Sequence, residues 1–246
     1  MGSEARARIP ILAEELKQAV GEDFVSLLLY GSAAAGDYIE GISDLNFLVV
    51  VRGSPIAVLE KLRPHWPRWQ KRGMAVPLVV QEDFFRRAAD VFPMELLDMR
   101  ECHEVLGGED PLHSVDIDPA HLRHQLEFEL RSKWLKLGSL YLQSADLGAH
   151  GSDATLLEAA KSFAILMRHM LRLAGQELPH RYVEVAERFE ATFGVMLPAT
   201  RTLLGIRQRQ LHWAKQRERL FRGFLEEMGR VVHVADGLLL EGARQT

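Results

Sequence analysis

The sequence predicts an α+β protein, with a mixed sheet and flanking helices in its N-terminal part and an all-α helical bundle in its C-terminal part. Two short apolar runs, residues 26–30 and 45–51, are rich in Leu and Val and have the length of buried strands. A third apolar run covers residues 74–80. After Pro119 the apolar residues recur at helical spacing and strand signals almost vanish, which is typical of an antiparallel bundle.

Composition and charge are those of an ordinary globular protein. The 246 residues suffice for one large or two small domains, and 47% of them are hydrophobic and 26% charged. A net charge of −4 does not favour a general affinity for polyanions. No run approaches the roughly 20 apolar residues that a membrane span needs. Because the start lacks a signal-peptide pattern and Cys102 is the single cysteine, we expect a cytoplasmic protein without an intrachain disulfide.

A change of composition marks the expected domain boundary. Glycines, acids and a proline form a turn over residues 107–111, and the stretch that follows has little apolar content. We therefore expect a first domain over residues 1–110, a linker over residues 111–119 and a second domain over residues 120–246.

Helices and strands alternate in the first domain. Residues 5–20 carry apolar side chains at helical spacing, and the Ser-Pro pair at residues 54–55 is typical of a helix start. Pro77 indicates that the third apolar run lies at a sheet edge or a bulge. A short helix is expected over residues 83–89. Residues 92–106 fit a strand or a helix, and the sequence leaves both open.

The second domain is expected to be a bundle of amphipathic helices. A basic stretch between residues 201 and 222, which includes Trp213, has two interpretations: the solvated face of a helix, or an electrostatic footprint for nucleic acid or a nucleotide. We favour the first, because Leu211 and Leu220 indicate an ordinary buried stripe. The expected helices cover residues 120–144, 154–174 and 181–193, a stretch from residue 197 toward residue 229, and residues 231–240.

Small and polar residues connect the first two predicted strands. Gly31 and Ser32 end the first strand, and the alanines after them can begin a helix. Glycine lacks a Cβ, so a phosphate can approach the backbone, and free N–H groups at a helix start attract anions. Ser43 and Asp44 precede the second strand, and Asp44 and Asn46 lie on one side of it because strand side chains alternate. We expect the turn to point at that side.

This pattern resembles the nucleotidyltransferase fold of DNA polymerase β and the aminoglycoside nucleotidyltransferases. In that family the turn holds the triphosphate, and an Asp-x-Asp pair with a third carboxylate on a neighbouring strand holds divalent metal ions. The resemblance implies nucleotide-binding roles for Gly31, Ser32 and Ser43, and a catalytic and metal-binding role for Asp44. It also implies a helical domain that forms the far wall of the cleft and contributes to the acceptor site.

The chain departs from the family pattern at two of its three carboxylate positions. Asn46 stands at the second position, and an amide oxygen is a weaker ligand for a hard cation than a carboxylate. The apolar run that would carry the third carboxylate has none. Glu95 could replace it if residues 92–106 form a strand beside the second strand; otherwise it is a surface acid. The expected metal ligands are therefore Asp44, Asn46 and Glu95, for a weakly held Mg²⁺.

These residues predict a nucleotidyltransferase-like protein that binds a nucleoside triphosphate in a cleft between its domains. The missing carboxylates argue against transfer of a nucleotidyl group to a hydroxyl acceptor, because two-metal chemistry needs anionic ligands. Two alternatives remain: an active enzyme that uses Asp44, Asn46 and Glu95, and a catalytically inactive interaction or regulatory module on the same fold. We expect no membrane or nucleic-acid partner. The apolar content of the bundle fits either its own core or the interface of a homodimer, and the sequence leaves both open.

Overall fold

The chain folds into two compact units. The computed structural model describes residues 3–36, 38–41, 43–144, 153–208, 211 and 217–242. One unit covers Met1–His121 and the other Leu122–Thr246. The domain limits and the linker that the sequence suggests stay a prediction.

A mixed four-stranded sheet forms the centre of the N-terminal unit, in the order β3-β2-β1-β4. β1 pairs antiparallel with β2 and with β4, whereas β2 and β3 are parallel. The α+β class is thereby confirmed, and β3 lies at an edge, as Pro77 indicated. The strands are β1 Phe24–Tyr30, β2 Asn46–Val51, β3 Leu78–Gln81 and β4 His103–Gly107.

Helices flank this sheet on both faces. Ser54 begins α2, because its hydroxyl accepts the backbone N–H of Ala57 and Pro55 fills the first helical position. The helices are α1 Ser3–Val20, α2 Pro55–Leu62, α3 Trp66–Gln70, α4 Phe84–Ala88 and α5 Pro93–Glu101.

Side chains of β1 and β2 alternate between two cores, so both strands are buried on both faces. The first core also contains α1, α2 and Trp69, and the second contains side chains of α4 and α5 together with Leu112. Val115 and Ile117 pack against the second core, so residues that follow β4 still contribute to the N-terminal unit. The first core takes Leu27, Leu29, Phe47, Val49 and Val51 from the strands, and the second takes Leu28, Leu48 and Val50.

The ambiguous residues 92–106 form both structures in succession. Pro93 occupies the first turn of α5, where its fixed φ suits a helix start, and β4 follows after Cys102. β4 pairs with β1 and not with β2. Glu95 lies in the first turn of α5, so the condition under which it would replace the third carboxylate is not met.

One carboxylate joins α1 to the end of α3. Glu15 accepts hydrogen bonds from Trp69 Nε1 at 2.7 Å and from Arg72 Nη1 at 3.0 Å, and Arg68 Nη2 lies 2.7 Å from it. Burial of Glu15 opposes its charge, but the hydrogen bonds from Trp69, Arg72 and Arg68 outweigh burial and lower the pKa of its carboxyl group.

Glu15→Gln is expected to lower the free energy of unfolding by about 1–2 kcal/mol at pH 7, because the charge that pairs with Arg68 and Arg72 is lost and only one oxygen remains to accept hydrogen bonds. Since the pKa of Glu15 is lower in the folded protein, its stabilising contribution is complete above the unfolded value, about 4.3, and is lost as the pH falls through the folded value. Urea denaturation of both proteins at pH 7 and under acid conditions measures this. Glu14→Gln is the control, because Glu14 accepts an exposed bond from Gln18. A difference between wild type and Glu15→Gln that does not shrink in acid would contradict the prediction.

The C-terminal unit is helical over its described residues. Gly194 ends α8 in the left-handed conformation with φ +68°, as the sequence indicated. The expected stretch from residue 197 toward 229 is instead two helices, and the second runs past Gly229 because Met228, Val231, Val232 and Ala235 continue its buried side. The helices are α6 Pro119–Gln143, α7 Asp153–Leu173, α8 Tyr182–Phe193, α9 Pro198–Arg207 and α10 Arg217–Gly242.

A buried carboxylate of α10 caps the start of α9. Glu227 is 2% exposed. Its Oε1 accepts the backbone N–H of Ala199 at 2.7 Å, and its Oε2 accepts the N–H and the hydroxyl of Thr200 at 2.8 and 2.7 Å. Because the first N–H groups of a helix have no acceptor within it, this side chain supplies what the local sequence of α9 lacks.

The basic stretch is tied to acids of the same unit. Arg201 pairs with Glu190, Arg207 with Glu158, Arg217 with Asp153 and Arg222 with Glu226, at 3.4, 3.0, 3.1 and 3.0 Å. These ion pairs give the four arginines a structural role. Arg209, Trp213 and Lys215 lie outside the described residues.

Among the described helices, none has both the length and the apolar character required to cross a membrane.

Candidate active site

The antiparallel register of β1 and β2 brings the two halves of the predicted motif together. Tyr30 is the last residue of β1 and lies opposite Asn46, the first residue of β2. Gly31 follows directly, with φ +76°. A Cβ at Gly31 would lie 3.0 Å from Nδ2 and 3.9 Å from Cγ of Asn46. The backbone conformation therefore favours glycine at this position, and a Cβ would also require the Asn46 amide to move by a few tenths of an ångström.

The turn after β1 is shorter than the sequence suggested. Gly31–Ala33 form a single 3₁₀ turn, and the Ala35 N–H donates to the Gly31 carbonyl at 2.9 Å. The alanines continue this 3₁₀ helix only as a turn over residues 34–36 and begin no longer helix. Gly31 and Ser32 are partly exposed, while Ala33 is buried and fixes the turn against the first core.

Asp44 is exposed and lies between two hydrogen-bonded neighbours. Before it, Ser43 and Ile39 bond reciprocally: the Ser43 N–H donates to the Ile39 carbonyl at 2.8 Å, and the Ser43 hydroxyl accepts the Ile39 N–H at 3.1 Å. After it, the Leu45 N–H donates to the Gly73 carbonyl at 2.8 Å. The Ser43 hydroxyl thus has a structural contact in the loop, and Asp44 lies two residues before Asn46, just outside β2.

Three side chains that the sequence did not single out surround this loop. Arg8 of α1 donates from Nη2 to Glu40 Oε1 at 2.7 Å and from Nη1 to the Arg72 carbonyl at 3.1 Å. Tyr38 is buried, and burial together with the charge of Glu40 raises the pKa of its hydroxyl. Arg8 is distant from the motif in sequence, so no local pattern could have identified it, whereas Tyr38 and Glu40 lie in the connection between β1 and β2.

The aromatic residue before the turn is also held neutral. Burial raises the pKa of the Tyr30 hydroxyl above its usual range. Tyr30 lies between Asn46 on β2 and His103 on β4. It therefore presents an uncharged side chain beside Gly31 at neutral pH.

The described residues at this site do not complete a two-metal centre. Asp44 supplies one carboxylate and Asn46 one neutral amide, while Glu95 belongs to α5. Residues 78–80 of β3 are apolar, and they pair with β2 at Leu48, Val49 and Val50. Within the described ranges, no group of three or more His, Cys, Asp or Glu side chains could hold a metal ion. A site for two divalent ions needs more anionic oxygen than this.

Two solved structures resemble this architecture. The spectinomycin adenyltransferase AAD(9) of Enterococcus faecialis, solved with ATP and spectinomycin, is 11% identical with a TM-score of 0.52, over 90% of this chain and 99% of that chain. A nucleotidyltransferase-like protein of Exiguobacterium sibiricum 255-15 is 11% identical with a TM-score of 0.39, over 97% and 80%.

The comparisons show a fold and assign no family. No family model matches the sequence, and no curated protein matches it either. The likeness to AAD(9) extends over nearly the whole of both chains, and it agrees with the mixed sheet and the helical C-terminal unit. The chain has the nucleotidyltransferase fold.

Proposed function

We propose that the N-terminal unit binds a nucleoside triphosphate at the Gly31–Ser32 turn, on the side where Asp44 lies, and transfers the nucleotide slowly or not at all. The observation that carries this proposal is the contact between Gly31 and Asn46, which puts an amide beside the turn where the resembled family has a carboxylate. The chain has the glycine-serine turn of the resembled family, but it lacks a carboxylate at two of that family's three metal-ligand positions.

Binding is supported by the backbone of the turn. Gly31 has no Cβ and a positive φ, so a phosphate can approach its main chain, and Ser32 adds a partly exposed hydroxyl. AAD(9), which shares the fold, was solved with ATP. Ser43 belongs to the proposed site as the residue that sets Asp44 in place.

A low rate of nucleotidyl transfer is expected because the site offers few anionic ligands to a metal ion. Phosphoryl and nucleotidyl transfer depend on metal ions that neutralise the leaving pyrophosphate and activate the attacking hydroxyl. Asp44 and Asn46 offer one carboxylate and one amide oxygen to a Mg²⁺ that arrives on the phosphates, so we propose a weak dependence on Mg²⁺. No acceptor hydroxyl is assigned; spectinomycin is the compound solved with AAD(9).

Calorimetric titration of the whole chain with ATP, GTP and CTP, with and without Mg²⁺, tests the proposal. We expect saturable binding of at least one nucleotide, and Mg²⁺ is expected to raise its affinity only about tenfold, through Asp44. Pyrophosphate release is measured in the same samples and is expected to stay at background. Rapid release with an added hydroxyl compound would show an active enzyme. Failure of all three nucleotides to bind would favour an interaction or regulatory module.

Asn46→Asp is expected to strengthen ATP binding about tenfold in Mg²⁺ and to weaken it without metal. The added carboxylate supplies an anionic ligand beside Asp44 when the cation is present, but repels the triphosphate when it is absent. Calorimetry under both conditions gives the two dissociation constants. Asn46→Leu is the control, since it keeps a similar volume and offers no oxygen. Equal effects of Asn46→Asp in both conditions would contradict the placement of the site.

A further inference from the structure

Arg8 makes contacts that hold together both sides of the loop that carries Asp44. Its Nη2 donates to Glu40 Oε1 at 2.7 Å, on the incoming side of the loop. Its Nη1 donates to the Arg72 carbonyl at 3.1 Å, next to Gly73, whose carbonyl accepts the Leu45 N–H on the outgoing side. One guanidinium on α1 therefore connects the residues before and after Asp44.

A buried tyrosine completes this connection. Tyr38 is 8% exposed, and its hydroxyl lies beside the Arg8 guanidinium. A Cβ at Gly73 would lie 3.4 Å from Arg8 Nη1 and 3.8 Å from the Tyr38 hydroxyl, so the three groups are packed closely. The charge of Asp44 also acts on the Tyr38 hydroxyl. The guanidinium, the phenol and the aspartate thus occupy one neighbourhood.

We infer that Arg8 is a positioning residue, which fixes Asp44 relative to the Gly31 turn without itself binding the nucleotide. This inference rests on the proposed function. The physical reason is that a planar guanidinium can donate to several acceptors at defined angles. The Arg8 side chain is 22% exposed and Glu40 is 59% exposed, so the Arg72 carbonyl and Tyr38 form the more enclosed part of the contact.

An ordinary contribution to the stability of α1 would have different consequences. Lys17, on the same helix, donates to the Leu106 carbonyl at 2.6 Å and so joins α1 to β4, away from the loop of Asp44. Lys17→Ala is therefore a matched control: it removes a basic side chain of α1 that bonds a backbone carbonyl but leaves the contacts of Tyr38 and Glu40 in place.

The test measures ATP affinity in Mg²⁺ by calorimetry for wild type, Arg8→Gln, Lys17→Ala, Asp44→Asn and the double variant Arg8→Gln/Asp44→Asn. We expect Arg8→Gln to lower the affinity about five- to tenfold and Lys17→Ala to leave it unchanged. In the Asp44→Asn background, Arg8→Gln is expected to have no further effect, because Arg8 acts through the position of Asp44. Amide hydrogen exchange without nucleotide is expected to rise in residues 38–41 and 43–45 of Arg8→Gln.

The outcomes separate the inference from the proposed function. If the wild type binds ATP and Arg8→Gln binds it equally well, the inference is wrong while the proposed function stands. The same holds if Arg8→Gln loses as much affinity in the Asp44→Asn background as in the wild type, since the loss would then be general. A wild type that binds no nucleotide overturns the proposed function, and the inference with it. Should Arg8→Gln fail to fold, Glu40→Gln removes the charge on the other side of the same contact and is judged by the same criteria.

Discussion

Gly31→Ala is expected to lower ATP affinity at least about tenfold while the protein still folds. A non-glycine residue at φ +76° costs about 1–2 kcal/mol, and the new Cβ would lie 3.0 Å from Asn46 Nδ2. The turn or the Asn46 amide must therefore shift, and we expect either shift to disturb the site for the phosphates. The strain lowers stability, whereas the disturbed phosphate site is expected to cost about 1.4 kcal/mol of binding free energy, which corresponds to a factor of ten. Calorimetry with ATP measures the affinity, and circular dichroism verifies the fold.

Gly194→Ala is the control for backbone strain alone. Gly194 has φ +68°, and a Cβ there would meet no atom within 4 Å. It ends α8 in the C-terminal unit. The substitution is expected to reduce stability by a similar amount and to leave ATP affinity unchanged. Equal loss of affinity in both variants would show that strain, and not the turn, is responsible.

Glu227→Ala is expected to reduce the free energy of unfolding of the C-terminal unit by about 3 kcal/mol. The carboxylate is 2% exposed and accepts bonds from two backbone N–H groups and one hydroxyl. Removing it leaves these three buried donors without their acceptor, and each hydrogen bond to a charged group contributes about 1.5–3 kcal/mol, less what relaxation recovers. The loss also removes the negative charge at the start of α9. Urea denaturation followed by circular dichroism measures the change.

The neighbouring Glu226 provides the comparison. Its side chain is 56% exposed and pairs with Arg222 one turn away on α10. Glu226→Ala is expected to change stability by less than about 0.5 kcal/mol, as is usual for surface pairs. Glu227→Gln is expected to fall between the two, because an amide oxygen still accepts one N–H. If Glu227→Ala were no more destabilising than Glu226→Ala, the proposed capping role would be wrong.

The strands that carry the site could be predicted because strands buried on both faces appear in the sequence as continuous apolar runs. Residues 26–30 and 45–51 are apolar on both faces, and β1 and β2 supply both cores of the N-terminal unit. Gly31 is also expected to lie near Asn46 once β1 and β2 pair antiparallel, because Tyr30 then lies opposite Asn46. For these two strands the local pattern and the fold agree, so the sequence is sufficient to predict them.

Other features depend on contacts between distant residues. Residues 92–106 were ambiguous because an apolar run with Glu95 and Asp98 suits either structure, and only pairing with β1 makes His103–Gly107 a strand. The cap on α9 comes from Glu227, 28 positions from Ala199, so no capping residue is visible in the local sequence. Arg8 is separated from Glu40 by 32 positions for the same reason. In the sequence such residues cannot be distinguished from other charged residues, because their contacts form only in the folded protein.

The most direct test of the proposed site is an NMR titration of the isotope-labelled chain with ATP, observed through the backbone amides. The account predicts saturable shift changes that are largest at Gly31, Ser32, Asp44 and Asn46, and that are lost in Gly31→Ala. Absence of any change at these four residues, with ATP bound elsewhere on the chain or not at all, would contradict it.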